Sequence, residues 1–265
     1  MDGSPVGWGL LSSAPSMRAS LPVAAGCRTS RREERPALSV VLPCFNEEAN
    51  VEQAVREAAE AARRVAAAFE IVVVDDGSRD GTVERVRALQ SRMPEVVLVR
   101  HGRNRGYGAA LRSGFRAARY PWVFYTDGDA QFDARQLASV AGLIGGGRVV
   151  AGYRCPRNDG SARTLLGRGW TWVANRSLGL SVRDVNCAFK VFPKALLDAV
   201  PMRSRGAAID AELLAEAARR GLRIEEVPVA HRPRRAGRST GARPGVVLRA
   251  LWELLWLSWR IRRDA

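Results

Sequence analysis

Asp127 and Asp129 flank a single glycine in YTDGDAQFD (125–133), directly after an aromatic and apolar run, and Asp133 follows. Two carboxylates this close repel each other, and at the end of a buried strand they can ionise together if a divalent cation sits between them. Magnesium and manganese take oxygen ligands and bind through one or two carboxylates together with a substrate phosphate. The spacing therefore points to a divalent ion holding a diphosphate, with Gly128 letting the backbone come close to the ligand. The same tripeptide also suits a solvated turn capping a helix that starts near Asp133, so its neighbours must decide. A second acidic cluster, DDGSRDGT (75–82), ends another apolar run. Asp76 there is placed to accept hydrogen bonds from a base or ribose, while Asp80 or Thr82 can cap the following helix. GYGAAL (106–111) lacks the third glycine of a dinucleotide fingerprint, and no G-x-x-x-x-G-K-[ST] phosphate loop exists in the chain.

The elements that must position these groups alternate. LSVVL (38–42), EIVVV (70–74), VVLV (96–99) and WVFYT (122–126) read as buried strands. Between the first two, a helix from Asn46 is expected, with Asn46 as its cap and Glu47 and Glu48 at its positive end. Val51, Val55, Ala58, Ala62 and Val65 recur along it at helical spacing. A helix carrying Val83, Val86 and Leu89 follows the second strand, and another over 104–119 follows the third. This alternation predicts an α/β fold, a single domain with a mostly parallel central sheet flanked by helices. Ligands of such sheets collect at the carboxyl ends of the strands, where Pro43–Glu47, Asp75–Asp76, Asn104–Gly108 and Asp127–Asp133 all fall. Further on, strands are expected at 148–154, 186–192 and 222–232, and helices at 162–179 and 209–221.

SVVLPCFNEEANV, EIVVVDDGSRDGT, NRGYGAALRSG, DGDAQ, DVNCAFKVF and the closing RRAGRS together resemble a family 2 glycosyltransferase of the inverting, GT-A type. The nearest branch is the dolichyl- or polyprenyl-phosphate mannosyl- and glucosyltransferases. The six motifs keep the family's order from Leu38 to Ser239. The resemblance implies that Pro43, Phe45, Glu47, Val74 and Asp76 line a nucleotide pocket. It implies that Asp127, Gly128, Asp129 and Gln131 hold Mg2+ or Mn2+ and the donor diphosphate, with Asp127, Asp129 and Gln131 as the metal set. Arg154 and Arg234 match arginines that contact donor or acceptor phosphates, and Asp184 matches a residue near the donor sugar. Asp129, Arg154 and Asp184 are thus the catalytic candidates. Where the family often has lysine after the closing serine, this chain has Thr240, so a phosphate contact is either lost there or supplied by Arg238 or Arg243.

The implied activity is transfer of a sugar from a nucleoside-diphosphate sugar, of GDP-mannose or UDP-glucose type, to a polyprenyl phosphate. A hydroxyl acceptor would need a general base, for which Asp184 and Asp210 are the spare carboxylates, whereas a lipid phosphate is already ionised. The saccharide or hydroxyl acceptor stays open, as does a non-catalytic sugar-nucleotide binder. A net charge of +15 attracts anionic partners. With only Lys190 and Lys194 as lysines, the arginine excess also fits a compositional bias. Nucleic acid is disfavoured, because no basic helix carries interleaved stacking aromatics and the carboxylate clusters would be unexplained.

Cys27, Cys44, Cys155 and Cys187 form no C-x-x-C pair; a reducing compartment fits them, with Cys44 and Cys187 as small core residues. Residues 1–36, rich in Gly, Ser, Pro and Arg, read as a disordered tail, the transferase domain as 37–243, and 244–265 as an amphipathic helix. On that helix Leu248, Trp252, Leu255, Trp256 and Trp259 share one stripe, with Arg249, Glu253 and Arg260 on another side. Its apolar segment VVLRALWELLWLSWRI (246–261) is too short and too charged to span, against the roughly 20 apolar residues required, but suits the interface of an anionic membrane. The expected location is therefore the inner face of the cell membrane, held peripherally. The sequence sets no oligomeric state.

Overall fold

β1 (Ala37–Cys44) is buried from Leu38 onward and lies third in a seven-stranded sheet, beside its central strand. The computed structural model describes residues 35–156, 161–233 and 244–263. β2 (Ala68–Asp75), β3 (Val96–Arg100) and β4 (Trp122–Thr126) pair in parallel with β1 or with one another, giving the order β3-β2-β1-β4. β6 (Phe189–Pro193), β5 (Arg148–Arg154) and β7 (Arg223–Val229) extend the sheet beyond β4. Among the described residues only β6 runs against the other strands, so the sheet is mostly parallel. Apolar side chains on both faces are the signature of a sheet covered on both sides. The helices are α1 (Val51–Val65), α2 (Thr82–Gln90), α3 (Tyr107–Ala117), α4 (Ser161–Leu178), α5 (Lys194–Ala199), α6 (Ala208–Arg219) and α7 (Pro244–Arg263), with a 3₁₀ helix at Ala134–Leu143.

Several boundaries differ from the sequence expectation, each for a local reason. α1 begins at Val51 rather than after Asn46, because residues 46–48 lace the β1 end to the β2 end. Asn46, at φ 56°, donates its N–H to Ser78 Oγ at 2.8 Å and accepts from the Arg79 N–H at 2.9 Å. The Glu47 N–H donates to Thr82 Oγ1 at 2.9 Å, and the Gly81 N–H to the Glu48 carboxylate at 3.0 Å. α3 starts at Tyr107 because the preceding turn is wrapped around Asp76. β6 starts at Phe189 because the backbone before it turns inward to Lys190.

After β3 the chain crosses to the other side of β1 to lay down β4, so strand order reverses between β1 and β4. Such a switch point leaves a crevice at the carboxyl ends of the two strands. Pro43–Glu47 lie at one lip and Asp127–Asp129 at the other.

α7 packs on α4 and α6 through Ala250, Leu254 and Leu257, all buried. Arg260, expected on the polar side, is instead buried, and it donates to Glu212 at 3.0 Å and Glu216 at 3.4 Å. Trp256 is half-buried beneath it, with the Arg260 guanidinium 5.3 Å from the ring centre. The opposite face stays outward: Leu248, Trp252, Leu255 and Trp259 are 57–69% exposed.

Candidate active site

Asp127 is half-buried at the end of β4, where its carboxyl meets the Tyr107 hydroxyl at the start of α3. Burial, then the nearby Asp129 and Asp210 carboxylates, push its pKa from 3.8 up to about 8, against the opposing pull of Tyr107 and Lys190. The protein thus gathers more negative charge here than its own cations balance, which is what a site for a divalent cation requires. Asp129 is buried and accepts the Gln131 N–H at 3.1 Å. Among the described residues no group of three or more His, Cys, Asp or Glu side chains could hold a metal alone. The Asp127–Asp129 pair fits an ion whose remaining ligands are diphosphate oxygens and water.

Gly128 explains the tripeptide's middle. Its N–H donates to Pro43 O at 3.3 Å, and a Cβ there would lie 2.2 Å from Cys44 Sγ. The absence of a side chain lets β4's end close against β1's end and fixes the two carboxylates at the crevice. Gly128→Ala is expected to cost about 1–3 kcal/mol through overpacking and to lower activity as the aspartates shift. Urea unfolding checks the first effect; unchanged stability would contradict this packing.

Beneath Asp127 lies a buried ionic network. Lys190 is wholly enclosed, and its ammonium donates to Asp210 at 3.0 Å, Val185 O at 2.9 Å, Cys187 O and the Tyr125 hydroxyl at 3.2 Å. Tyr125 in turn donates to Asp210. Asp184, buried just before β6, accepts from Arg154 at the end of β5 in a two-pronged pair, Nε at 2.6 Å and Nη2 at 2.8 Å. Lys190 fixes the carbonyls that follow Asp184, so the network and the Arg154 pair form one support on the crevice's edge.

The residues expected around a nucleotide divide. Phe45 is exposed at the lip, while Pro43 and Glu47 are buried beside it, Glu47 accepting from Asn50 Nδ2 at 2.7 Å. Val74, at the end of β2, is fully buried in the core, with a methyl against Gly114 of α3. Asp76 accepts from His101 Nδ1 at 2.6 Å, the Arg105 N–H at 2.9 Å and the Gly106 N–H at 2.8 Å. In this structure it therefore organises the turn before α3. Gln131 donates from Nε2 to Arg232 O at 3.2 Å, tying Asp129 to the segment after β7. Asp133 caps the 3₁₀ helix through the Arg135 N–H and pairs with Arg135 and Arg232, away from any metal role. Arg234, with Arg238, Thr240 and Arg243, lies outside the described residues.

Tyr107, Tyr125 and the role of Lys190 at the site were not among the sequence expectations. Lys190 did leave a signal, a lysine inside the otherwise apolar strand FKVF. Nothing in the spacing announced that Tyr107 would reach Asp127, since that contact depends on how α3 enters the sheet.

The sheet order, the switch-point crevice and the paired aspartates define a GT-A fold. Residues 39–203 match the model of Glycosyl transferase family 2, more than half of the chain, and the protein belongs to that family. Similar curated proteins are undecaprenyl-phosphate 4-deoxy-4-formamido-L-arabinose transferases. That of Pseudomonas paraeruginosa (strain PA7) is 33% identical over 165 residues, 62% of this chain and 49% of its own. That of Pseudomonas fluorescens (strain Pf0-1) is 30% identical over 205 residues, 76% of this chain and 59% of its own. The chain therefore spans about half the length of the curated relatives it matches. Among solved structures, glucosyl-3-phosphoglycerate synthase from Mycobacterium tuberculosis, in complex with Mn2+, UDP and glucosyl-3-phosphoglycerate, shares the fold. Its TM-score is 0.68 at 24% identity, over 84% of this chain and 80% of that one. The same enzyme with Mg2+ and UDP gives 0.66 at 22%, with the same coverage.

Proposed function

We propose that the protein transfers a sugar from a nucleoside-diphosphate sugar, of GDP-mannose or UDP-glucose type, to a polyprenyl phosphate. The carrying observation is the state of the two spare carboxylates. Asp184 is gripped by the fork of Arg154, and Asp210 is shared by Lys190 and Tyr125. Neither is poised to take a proton from an acceptor hydroxyl, which favours an acceptor that is already anionic. The names of the curated relatives support the same reading.

Asp127 and Asp129 would hold Mg2+ or Mn2+, which when bound supplies Lewis-acid stabilisation of the leaving diphosphate. Gly128 keeps the two carboxylates at the crevice, and Phe45 and Glu47 frame the nucleotide side. A phosphate oxygen of the acceptor attacks the sugar's anomeric carbon from the face opposite the diphosphate. The new C–O bond forms as the old one breaks, the diphosphate leaves with the electron pair, and the sugar inverts. No proton has to be removed. Arg154, the arginine expected to contact phosphate, is fixed on the same sheet edge by Asp184.

The outward face of α7 and the exposed Leu165 and Trp172 of α4 suit contact with a membrane surface, and we place the protein at its cytoplasmic face. Among the described residues no helix is long and apolar enough to cross a membrane.

Purified protein, supplied with radiolabelled GDP-mannose or UDP-glucose, Mn2+ and undecaprenyl phosphate, should yield labelled lipid. Label found only on a saccharide acceptor would select the hydroxyl-acceptor reading.

The raised Asp127 pKa gives a pH dependence of definite sign. Its folded pKa lies above the unfolded value of 3.8, so its ionisation destabilises the metal-free fold. That cost is absent below the unfolded pKa and grows as pH rises toward 8. Cation binding must displace the proton, so Mn2+–nucleotide affinity should rise from pH 6 to 8, by up to about tenfold per unit, and then level. Calorimetry across that range checks it; a flat profile would contradict the assignment.

A further inference from the structure

Between α7 and the segment 203–206 lies an open cleft of about 480 Å³. Its walls include Arg203, Arg205, Arg249, Trp252, Glu253 and Trp256. All three arginines are exposed, and no carboxylate ion pair engages any of them among the described residues. The Arg203 guanidinium stands 6.0 Å from the Trp256 ring centre. Glu253, the one acid in the wall among the described residues, already accepts the Arg205 and Gly206 N–H groups, each at 3.1 Å. The cleft therefore offers three cations beside two indoles, with its carboxylate engaged by backbone. That chemistry suits a phosphate attached to an apolar chain, the charge against the guanidinium groups and the chain along the indoles.

We propose that this cleft binds the headgroup of an anionic phospholipid of the bilayer. Trp252 belongs both to the cleft and to the outward stripe with Leu248, Leu255 and Trp259, so an apolar chain leaving the cleft meets that stripe. The inference rests on the reading of α7 as a membrane-facing helix and adds where the headgroup is held. It also places the lipid beside the donor site. Arg205 O accepts the Gly108 N–H at 2.9 Å, and a Cβ on Gly108 would lie 2.5 Å from Ser204 O. The adjoining Tyr107 carries the hydroxyl that meets Asp127.

The test is co-sedimentation of the full chain with phosphatidylglycerol or phosphatidylcholine vesicles, without donor or polyprenyl phosphate. The wild type should bind phosphatidylglycerol at least about tenfold more tightly. Arg205→Gln with Arg249→Gln should lower that affinity about 25-fold, roughly fivefold for each basic side chain lost. Arg262→Gln with Arg263→Gln, at the helix end outside the cleft, should lower it distinctly less. Equal losses from both pairs would reduce the effect to general surface charge and overturn the site. Binding seen only after undecaprenyl phosphate is added would assign the cleft to the acceptor and equally overturn it. Wild-type binding of UDP or GDP with Mn2+, measured without lipid, reports separately on the donor site, so failure there sinks the proposed function rather than this cleft.

Discussion

Asp129→Asn is expected to abolish sugar transfer, lowering kcat/KM by about 10³-fold, near the upper range for losing a preorganised electrostatic contact to a leaving group. An amide is a poor ligand for a hard divalent ion, so one carboxylate would remain to hold the metal. Asp127→Asn should lose activity to the same degree while leaving the metal-free protein at least as stable as the wild type. The amide can still accept from Tyr107, and it removes a charge crowded by Asp129 and Asp210. Radiolabel transfer and thermal unfolding, run together, read both effects. If the DGD tripeptide were only a capping turn, both variants would transfer sugar normally.

Lys190→Met should produce the largest loss of stability. The substitution conserves much of the volume but strips Asp210 of its cation and leaves the Val185 and Cys187 carbonyls without their donor. Breaking one side of a buried ion pair costs about 3–5 kcal/mol. Asp210→Asn in the same chain should recover part of that, because the uncompensated charge is gone. Urea unfolding of the two single variants and the double variant measures the coupling. A loss below about 1 kcal/mol for Lys190→Met would mean that water reaches the pair and the network is not sealed.

The strands were legible because each is an apolar run ended by polar or turn residues, and their carboxyl ends could be located from Pro43, Asp75 and Asp127. The parallel order followed from alternation with helices. What the sequence hid was contact between elements. Asn46 has the composition of a helix cap, but the helix waits until Val51 because Ser78 and Arg79 claim Asn46. Asp76 and Asp184 were visible as acids near the crevice. Their partners, His101 and the turn before α3 for one and Arg154 for the other, are decided by sheet order, which no local pattern encodes. Val74 is implied for the pocket by the resemblance, and its side chain packs in the core against α3, on a strand buried on both faces. The outward tryptophans of α7 were readable as a stripe. The buried Arg260 was not, since its placement depends on Glu212 and Glu216 of α6.

The proposed transfer depends above all on Asp127 and Asp129 holding a divalent cation on which a nucleoside diphosphate is seated. Calorimetric titration of the wild type with UDP and with GDP, in Mn2+ and then in EDTA, tests it most directly. At least one nucleotide should bind with Mn2+, release a proton at pH 7, and show no measurable heat in EDTA or with Asp129→Asn. Equal binding with and without the metal, undiminished by Asp129→Asn, would contradict it.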